Sequence, residues 1–316
     1  MLKLYPSWFV FFLTLVFGIL LVFRSDNWFI IWIGFELSLL GFMPMFTGAL
    51  LVVEGLVKYF LTQASGSRLF MISFILNMDL YRLILLMRGM SMKIGVFPFY
   101  QWVPMVITSL SWGGCLLLST VQKLSPILVL IVQRDRLNSF ILISGVLSIL
   151  VSGVLGYNQS YIRSLMAYSS ISHTGWLLCA IVMELRVFLL YLFVYYYLTV
   201  VLFFWFSKNY TLKIVSGSKN FKSYFLLSIL MLTMSGIPPF SIFFLKALVV
   251  YCLLVYPIIA VFVIFGSMLS IYYYLTFVVP RLSRFWTDQE ESVFYSNWFI
   301  FHVFISVFLF PFLLLL

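Results

Sequence analysis

Charged side chains are scarce in this chain. Asp, Glu, Lys and Arg make up 9 % of its 316 residues, against about 25 % in an ordinary soluble domain. So little charge cannot keep a surface wet, which excludes a soluble globular protein. It also excludes disorder, which needs a polar, charged chain. Cysteine and histidine are nearly missing. Cys115, Cys179 and Cys252 stand far apart with no CxxC pair, which argues against zinc and iron–sulfur sites. The only histidines are His173 and His302, and a bis-histidine haem would need both. No metal or redox ligand set is therefore expected. Nineteen basic residues outnumber nine acidic ones, giving a net charge of +10. They fall in ones and twos between apolar stretches, so there is no basic stripe for nucleic acid. Anionic lipid and topology account for the excess. No Arg/Ser-rich leader is read ahead of the first apolar stretch.

What is abundant is hydrocarbon: 64 % hydrophobic residues, 36 of them Phe, and a mean hydropathy of +1.14. The high Phe and Met usage suits translation from a T-rich organellar genome. A bilayer core needs about 20 apolar residues per helix, or about 28 with its turn. The length allows about eleven spans. They are read at 8–23, 28–53, 55–76, 80–104, 112–132, 140–157, 164–184, 187–206, 224–246 and beyond, 257–279 and 298–316. A polar stretch with Lys208, Lys213, Lys219 and Lys222 precedes the ninth, and the segment 281–291 is polar. The Lys/Arg bias of the loops favours the N-terminus on the positive (matrix or cytoplasmic) side.

Four ionisable residues lie about half a span from any loop: Glu36, Lys93, Lys123 and Lys246, on spans two, four, five and nine. Such residues are costly in a membrane and mark functional positions. Burial disfavours a charged amine and a nearby carboxylate restores it. A lysine whose carboxylate partner comes and goes can therefore take up and release a proton, with water bridging the gaps. A static ion pair, or a lysine reaching an interface, is the alternative for each residue taken singly. Two spans also carry helix breakers: Gly95, Pro98 and Pro104 after Lys93, and Gly236, Pro238 and Pro239 before Lys246. Proline removes a backbone donor, and interrupted helices at matching positions of two halves mark inverted-repeat transporters. Spans one to five and six to ten would form such repeats, at 1–136 and 137–280, with 281–316 as a polar segment and C-terminal helix. His173 sits in a hydroxyl-rich run, Tyr168-Ser169-Ser170-Ile171-Ser172-His173-Thr174, which suits either a hydrated half-channel or local hydrogen bonding. Arg68 and Arg88 also fall within spans. Their partners are left open between Asp79, Glu54, lipid phosphate and another subunit. Arg88 lies about 140° around the helix from Lys93.

Several stretches together resemble a known family. They are Trp32-Ile33-Gly34-Phe35-Glu36-Leu37, Lys58-Tyr59-Phe60-Leu61-Thr62-Gln63-Ala64, Met92-Lys93-Ile94-Gly95 with Pro98-Phe99 and Trp102-Val103-Pro104, and Gln122-Lys123-Leu124-Ser125-Pro126. The serine-rich run through Trp176, then Gly236-Ile237-Pro238-Pro239 and Phe244-Leu245-Lys246, complete the set. In order and spacing they resemble the subunit-2 family of mitochondrial NADH:ubiquinone oxidoreductase (respiratory complex I), which is antiporter-like. The resemblance implies an all-α membrane protein with two inverted five-helix repeats and discontinuous helices four and nine. It implies that Glu36 pairs with Lys93, that Lys123 is the central relay lysine, and that Lys246 passes protons onward. Lys58 and His173 match positions along a hydrated path. It further implies no cofactor in this chain, with NADH, flavin, iron–sulfur clusters and ubiquinone held by other subunits. The implied partners are neighbouring membrane-arm subunits and phospholipid, including cardiolipin, in the mitochondrial inner membrane. A stand-alone cation/proton antiporter, or a structural subunit whose pumping has decayed, would share the fold.

Overall fold

In a computed structural model, residues 6–46, 50–76, 78–209, 221–238 and 240–287 are described. Every regular element among them is helical. The helices are α1 (Pro6–Arg24), α2 (Trp28–Phe42), α3 (Leu50–Ile75), α4 (Asp79–Ile94), α5 (Trp102–Ser109), α6 (Trp112–Ser119) and α7 (Val121–Val132). They continue with α8 (Arg134–Gly156), α9 (Ile162–Met183), α10 (Leu185–Asn209), α11 (Phe221–Ser235), α12 (Ser241–Leu253) and α13 (Pro257–Thr287). Among the described residues six stretches are long and apolar enough to cross a membrane by length and composition: 28–46, 112–132, 134–156, 162–183, 185–208 and 257–280. The expected first, third, fourth and ninth spans are not among them, the first and ninth being shorter apolar helices. At 26 residues α3 is long enough, but it carries Glu54, Lys58 and Arg68. The fourth is split into α4 and α5, of 16 and 8 residues.

The chain divides into two units, Met1–Ser144 and Gly145–Leu316. In the first, α1 packs along α2 and α3 along α4. Both crossings are built on glycine. A Cβ on Gly34 would lie 2.7 Å from the Gly18 carbonyl oxygen, and one on Gly89 would lie 2.8 Å from that of Gly66. Small residues let backbones approach and gain dispersion contacts where lipid offers no hydrophobic drive. In the second unit α9 is almost wholly buried, and it packs on α10 and α12.

Three boundaries differ from the sequence reading. The second span was expected to reach residue 53. Instead α2 ends at Phe42, a 3-10 turn covers Met43–Phe46, and α3 starts at Leu50. Pro44 cannot donate the helical hydrogen bond, so an apolar run is not a continuous helix here. The fifth span is two helices, hinged at Thr120 with φ −113° and ψ −75°. The helix begun at Pro257 runs on through Arg281 and Arg284 to Thr287, because arginine is a good helix former even where the apolar window ends. The expected helix at 298–316, His302, Lys213, Lys219 and Pro239 lie outside the described residues.

Candidate functional site

The first unit holds Glu36, Lys93 and Lys123. Lys93 sits on the last turn of α4, 5 % exposed. The helix stops there because Gly95 takes φ +78°, a conformation nearly free to glycine alone. A helix ending inside hydrocarbon leaves carbonyls that water cannot reach. Here they are answered by protein. The Ser91 carbonyl accepts the N–H groups of Gly95 and Val96 at 2.9 and 3.2 Å. The Met92 carbonyl accepts the Trp102 indole N–H at 3.0 Å, and that of Lys93 accepts the Gln63 amide at 3.1 Å. The break is thus held open from α3 and α5. Gln63→Leu, which keeps the bulk and removes the donor, is expected to destabilise by about 1–3 kcal/mol. Thermal denaturation of the detergent-solubilised protein checks this; an unchanged midpoint would mean the carbonyl finds another donor.

The Lys93 Nζ lies 4.3 Å from the centre of the Phe35 ring, an attraction between cation and aromatic face. The neighbouring Glu36 accepts a hydrogen bond from Ser67 Oγ at 2.5 Å. Glu36 and Lys93 do not form a direct ion pair; among the described residues those pairs are Lys58–Glu54 and Arg134–Asp135. The Glu36 charge nevertheless acts on Lys93. Lys123, 2 % exposed, lies on α7. Pro126 within that helix leaves the Gln122 carbonyl without its usual donor. The Gln122 side chain donates to the Ser38 carbonyl at 3.1 Å, tying α7 to α2 two residues from Glu36. Packing of α4 on α7 completes the cluster. Lys58 is not part of it: it is exposed and pairs with Glu54 at 2.8 Å.

The second unit holds His173 and Lys246. Its break falls at Gly236, with φ +77°, between α11 and α12. Lys246, 7 % exposed, reaches back across the break and donates from Nζ to the Ser235 carbonyl at 2.8 Å. The positive amine thus meets the negative C-terminal end of α11. Its Nζ also lies 5.6 Å from the centre of the Trp176 ring. Glycine leaves room for this, since a Cβ at 236 would lie 3.2 Å from the amine. His173 is buried; its Nδ1 is 2.9 Å from Tyr191 Oη, and its ring stacks on Tyr195 at 4.8 Å. Tyr273 and Tyr274 are buried as well, their rings tilted against each other at 4.7 Å. Sequence reasoning assigned no role to Gln63, Ser67, Trp102, Tyr191 or Tyr195. A lone amide on an apolar helix was the available signal for Gln63. The tyrosines lie on α10, whose many aromatic residues give no local signal that singles them out.

Residues 76–271 match the family described as "NADH:quinone oxidoreductase/Mrp antiporter, TM". The chain is 34 % identical over 284 residues to NADH-ubiquinone oxidoreductase chain 2 of Lumbricus terrestris, covering 85 % of each chain. It is 33 % identical to that of Bos taurus, covering 83 % of this chain and 82 % of the relative. Its fold is similar to a chain of respiratory complex I from Thermus thermophilus with bound aureothin, with a TM-score of 0.80 at 21 % identity, covering 95 % of this chain and 75 % of that one. It is also similar to a chain of the Mrp complex from Dietzia sp. DQ12-45-1b, with a TM-score of 0.73 at 14 % identity, covering 94 % and 60 %.

Proposed function

The chain belongs to the NADH-ubiquinone oxidoreductase chain 2 family, and from that premise we propose that it translocates protons in the membrane arm of NADH:ubiquinone oxidoreductase. It is a multi-pass protein of the mitochondrial inner membrane, and its helices are those of an antiporter-like subunit. NADH, flavin, iron–sulfur clusters and ubiquinone belong to other subunits. The redox energy reaches this chain as a change of charge near Glu36. The Glu36–Lys93 coupling then strengthens or relaxes, and protons move along Lys93, Lys123 and Lys246. Lys58 and His173 support the hydrated path.

One observation carries this reading. Three lysines are 5 %, 2 % and 7 % exposed in a chain built for a bilayer, where unneeded amines are costly. Lys93 and Lys246 have no carboxylate in ion-pair contact among the described residues. An aromatic face holds one, and a carbonyl with a second aromatic holds the other. Partners this weak leave the amines free to exchange a proton. A static structural ion pair would place a carboxylate against the amine. For the finer architecture we propose eleven spans, two inverted five-helix repeats at 1–136 and 137–280, and the N-terminus on the matrix side. In support, among the described residues each unit has a helix break at a glycine with positive φ, +78° at Gly95 and +77° at Gly236. Cardiolipin among the surrounding phospholipid agrees with the net positive charge.

The test is Lys123→Met in the assembled enzyme, with protons counted per NADH oxidised. The expected result is normal assembly with fewer protons per NADH; an unaltered count would remove Lys123 from the path. A stand-alone cation/proton antiporter shares the fold but fits the chain-2 relatives less well. Purification separates the two, because a subunit leaves the membrane with its redox partners.

A further inference from the structure

We propose that the outward face shared by α3 and α4, centred on Arg68 and Arg88, is a docking surface for a membrane-embedded helix of another subunit carrying carboxylate side chains at that depth. This rests on the reading of the chain as a subunit of an assembly.

The geometry starts from Ser65 and Met92, whose Oγ and Sδ are 3.7 Å apart. Both are half-buried and open one side of the α3–α4 pair. Arg68 lies one turn along α3 from Ser65. Arg88 lies about one turn along α4 from Met92, in the same direction because the helices run antiparallel. Steps of three and four residues keep each arginine on the face of its contact residue. The Gly66–Gly89 approach, 3.0 and 2.8 Å from each glycine's added Cβ to the other's carbonyl oxygen, brings the two backbones together at this level. Two guanidinium-bearing positions thus sit side by side, at one height, both exposed. Around them the face is apolar, with Leu61 59 % and Ile72 45 % exposed.

That height is deep. Ser67, next to Arg68, donates to Glu36, so the arginines stand level with a carboxylate in the middle of the bundle. Arg68 is seven residues from the end of α3, roughly 10 Å, and Arg88 nine residues from the start of α4, roughly 13 Å. Among the described residues neither guanidinium has an ion-pair or hydrogen-bond partner. Glu54 is taken by Lys58 at 2.8 Å, and Asp79 begins α4, too far along the helix for Arg88. Two arginines left bare to acyl chains at this depth would be heavily penalised. A planar guanidinium is matched best by a carboxylate, which takes two of its N–H groups at once. Lipid phosphate carries the right charge but lies at the headgroups, above the level of Glu36. An apolar surface with arginine at its centre is also the usual composition of an interface core.

A density map of the intact assembly tests the proposal directly. The expected result is a neighbouring helix on this face with a carboxylate within ion-pair distance of at least one of the two guanidinium groups. Acyl chains on the face, with the arginines turned up to phosphate, would overturn it, as would a helix without an acid. In parallel, Arg68→Leu/Arg88→Leu is expected to weaken retention in the assembly roughly a hundredfold, read as loss from the complex on native gels at rising detergent. Leucine favours membrane insertion, so unchanged membrane content shows that the loss is one of docking. Arg68→Lys/Arg88→Lys keeps the charges and is expected to retain most of the binding. Wild-type retention of the leucine double variant overturns the surface and leaves the proton path standing. A normal proton count in Lys123→Met does the reverse.

Discussion

Lys93→Met is expected to slow proton movement through this chain by roughly a hundredfold or more, the usual cost of losing a proton-transferring side chain. Its amount in the membrane should not fall. Methionine has nearly the length of lysine and removes an amine whose burial opposes insertion by about 2.5–3.5 kcal/mol. The structural work at position 93 is done by the backbone, whose carbonyl accepts from Gln63, and methionine leaves that bond in place. What is lost is the amine over Phe35 and its response to Glu36. Glu36→Gln should produce a similar defect, and the double variant little more than either alone, because groups acting as one unit are not additive. The measurement is NADH-driven proton uptake in vesicles containing the assembled enzyme, with electron transfer followed separately. Normal uptake in Lys93→Met with intact assembly would refute the assignment. Additive defects would place Glu36 and Lys93 on separate routes.

The parts of this fold that were legible in the sequence are those set by hydrocarbon and by backbone chemistry. Apolar length marked the spans read at 112–132 and 164–184, the second of which is the helix Ile162–Met183, and glycine with proline marked the breaks after Lys93 and before Lys246. The angle of about 140° between Arg88 and Lys93 set the two apart without saying which faces outward; the structure leaves Arg88 exposed and Lys93 buried. What stayed hidden depends on contacts between distant residues. Gln63 and Lys93 are 30 positions apart, and Gln122 and Ser38 are 84 apart. No periodicity encodes such pairings. Neither does any local pattern reveal that α4 needs side-chain donors from α3 and α5, since that need arises only once the helix ends away from water. The hinge at Thr120 was missed for another reason. No glycine or proline stands at the bend itself, and the apolar run continues unbroken through it. Tyr191 and Tyr195 could not be told from lipid-facing aromatics, because α10 carries aromatic residues on all sides.

The two breaks are expected to answer differently to the same change. Gly95→Ala should sharply lower the amount of assembled protein, whereas Gly236→Ala should act mainly on Lys246. Both positions have positive φ, which costs an L-residue about 1–2 kcal/mol. The surroundings decide the rest. A Cβ at 95 would fall 2.2 Å from Val103 Cγ2 and 3.1 Å from the Trp102 ring. Val103 is fully buried, and Trp102 is held by its bond to Met92. Neither can retreat without opening the α4–α5 break, so overpacking adds about 1–3 kcal/mol. A Cβ at 236 meets the flexible end of Lys246, 3.0 Å from Cδ and 3.2 Å from Nζ. That side chain can swing aside, giving up its bond to the Ser235 carbonyl rather than the fold. Steady-state levels in the native complex should therefore drop far more for Gly95→Ala than for Gly236→Ala. Conversely, the assembled Gly236→Ala enzyme should show the lower proton count per NADH. Adding Val103→Ala to Gly95→Ala removes the overlap while leaving the φ strain, and should recover part of the lost protein. If Gly95→Ala accumulates normally, the left-handed turn is not what ends α4. If Gly236→Ala pumps normally, the Lys246–Ser235 contact has no part in proton transfer.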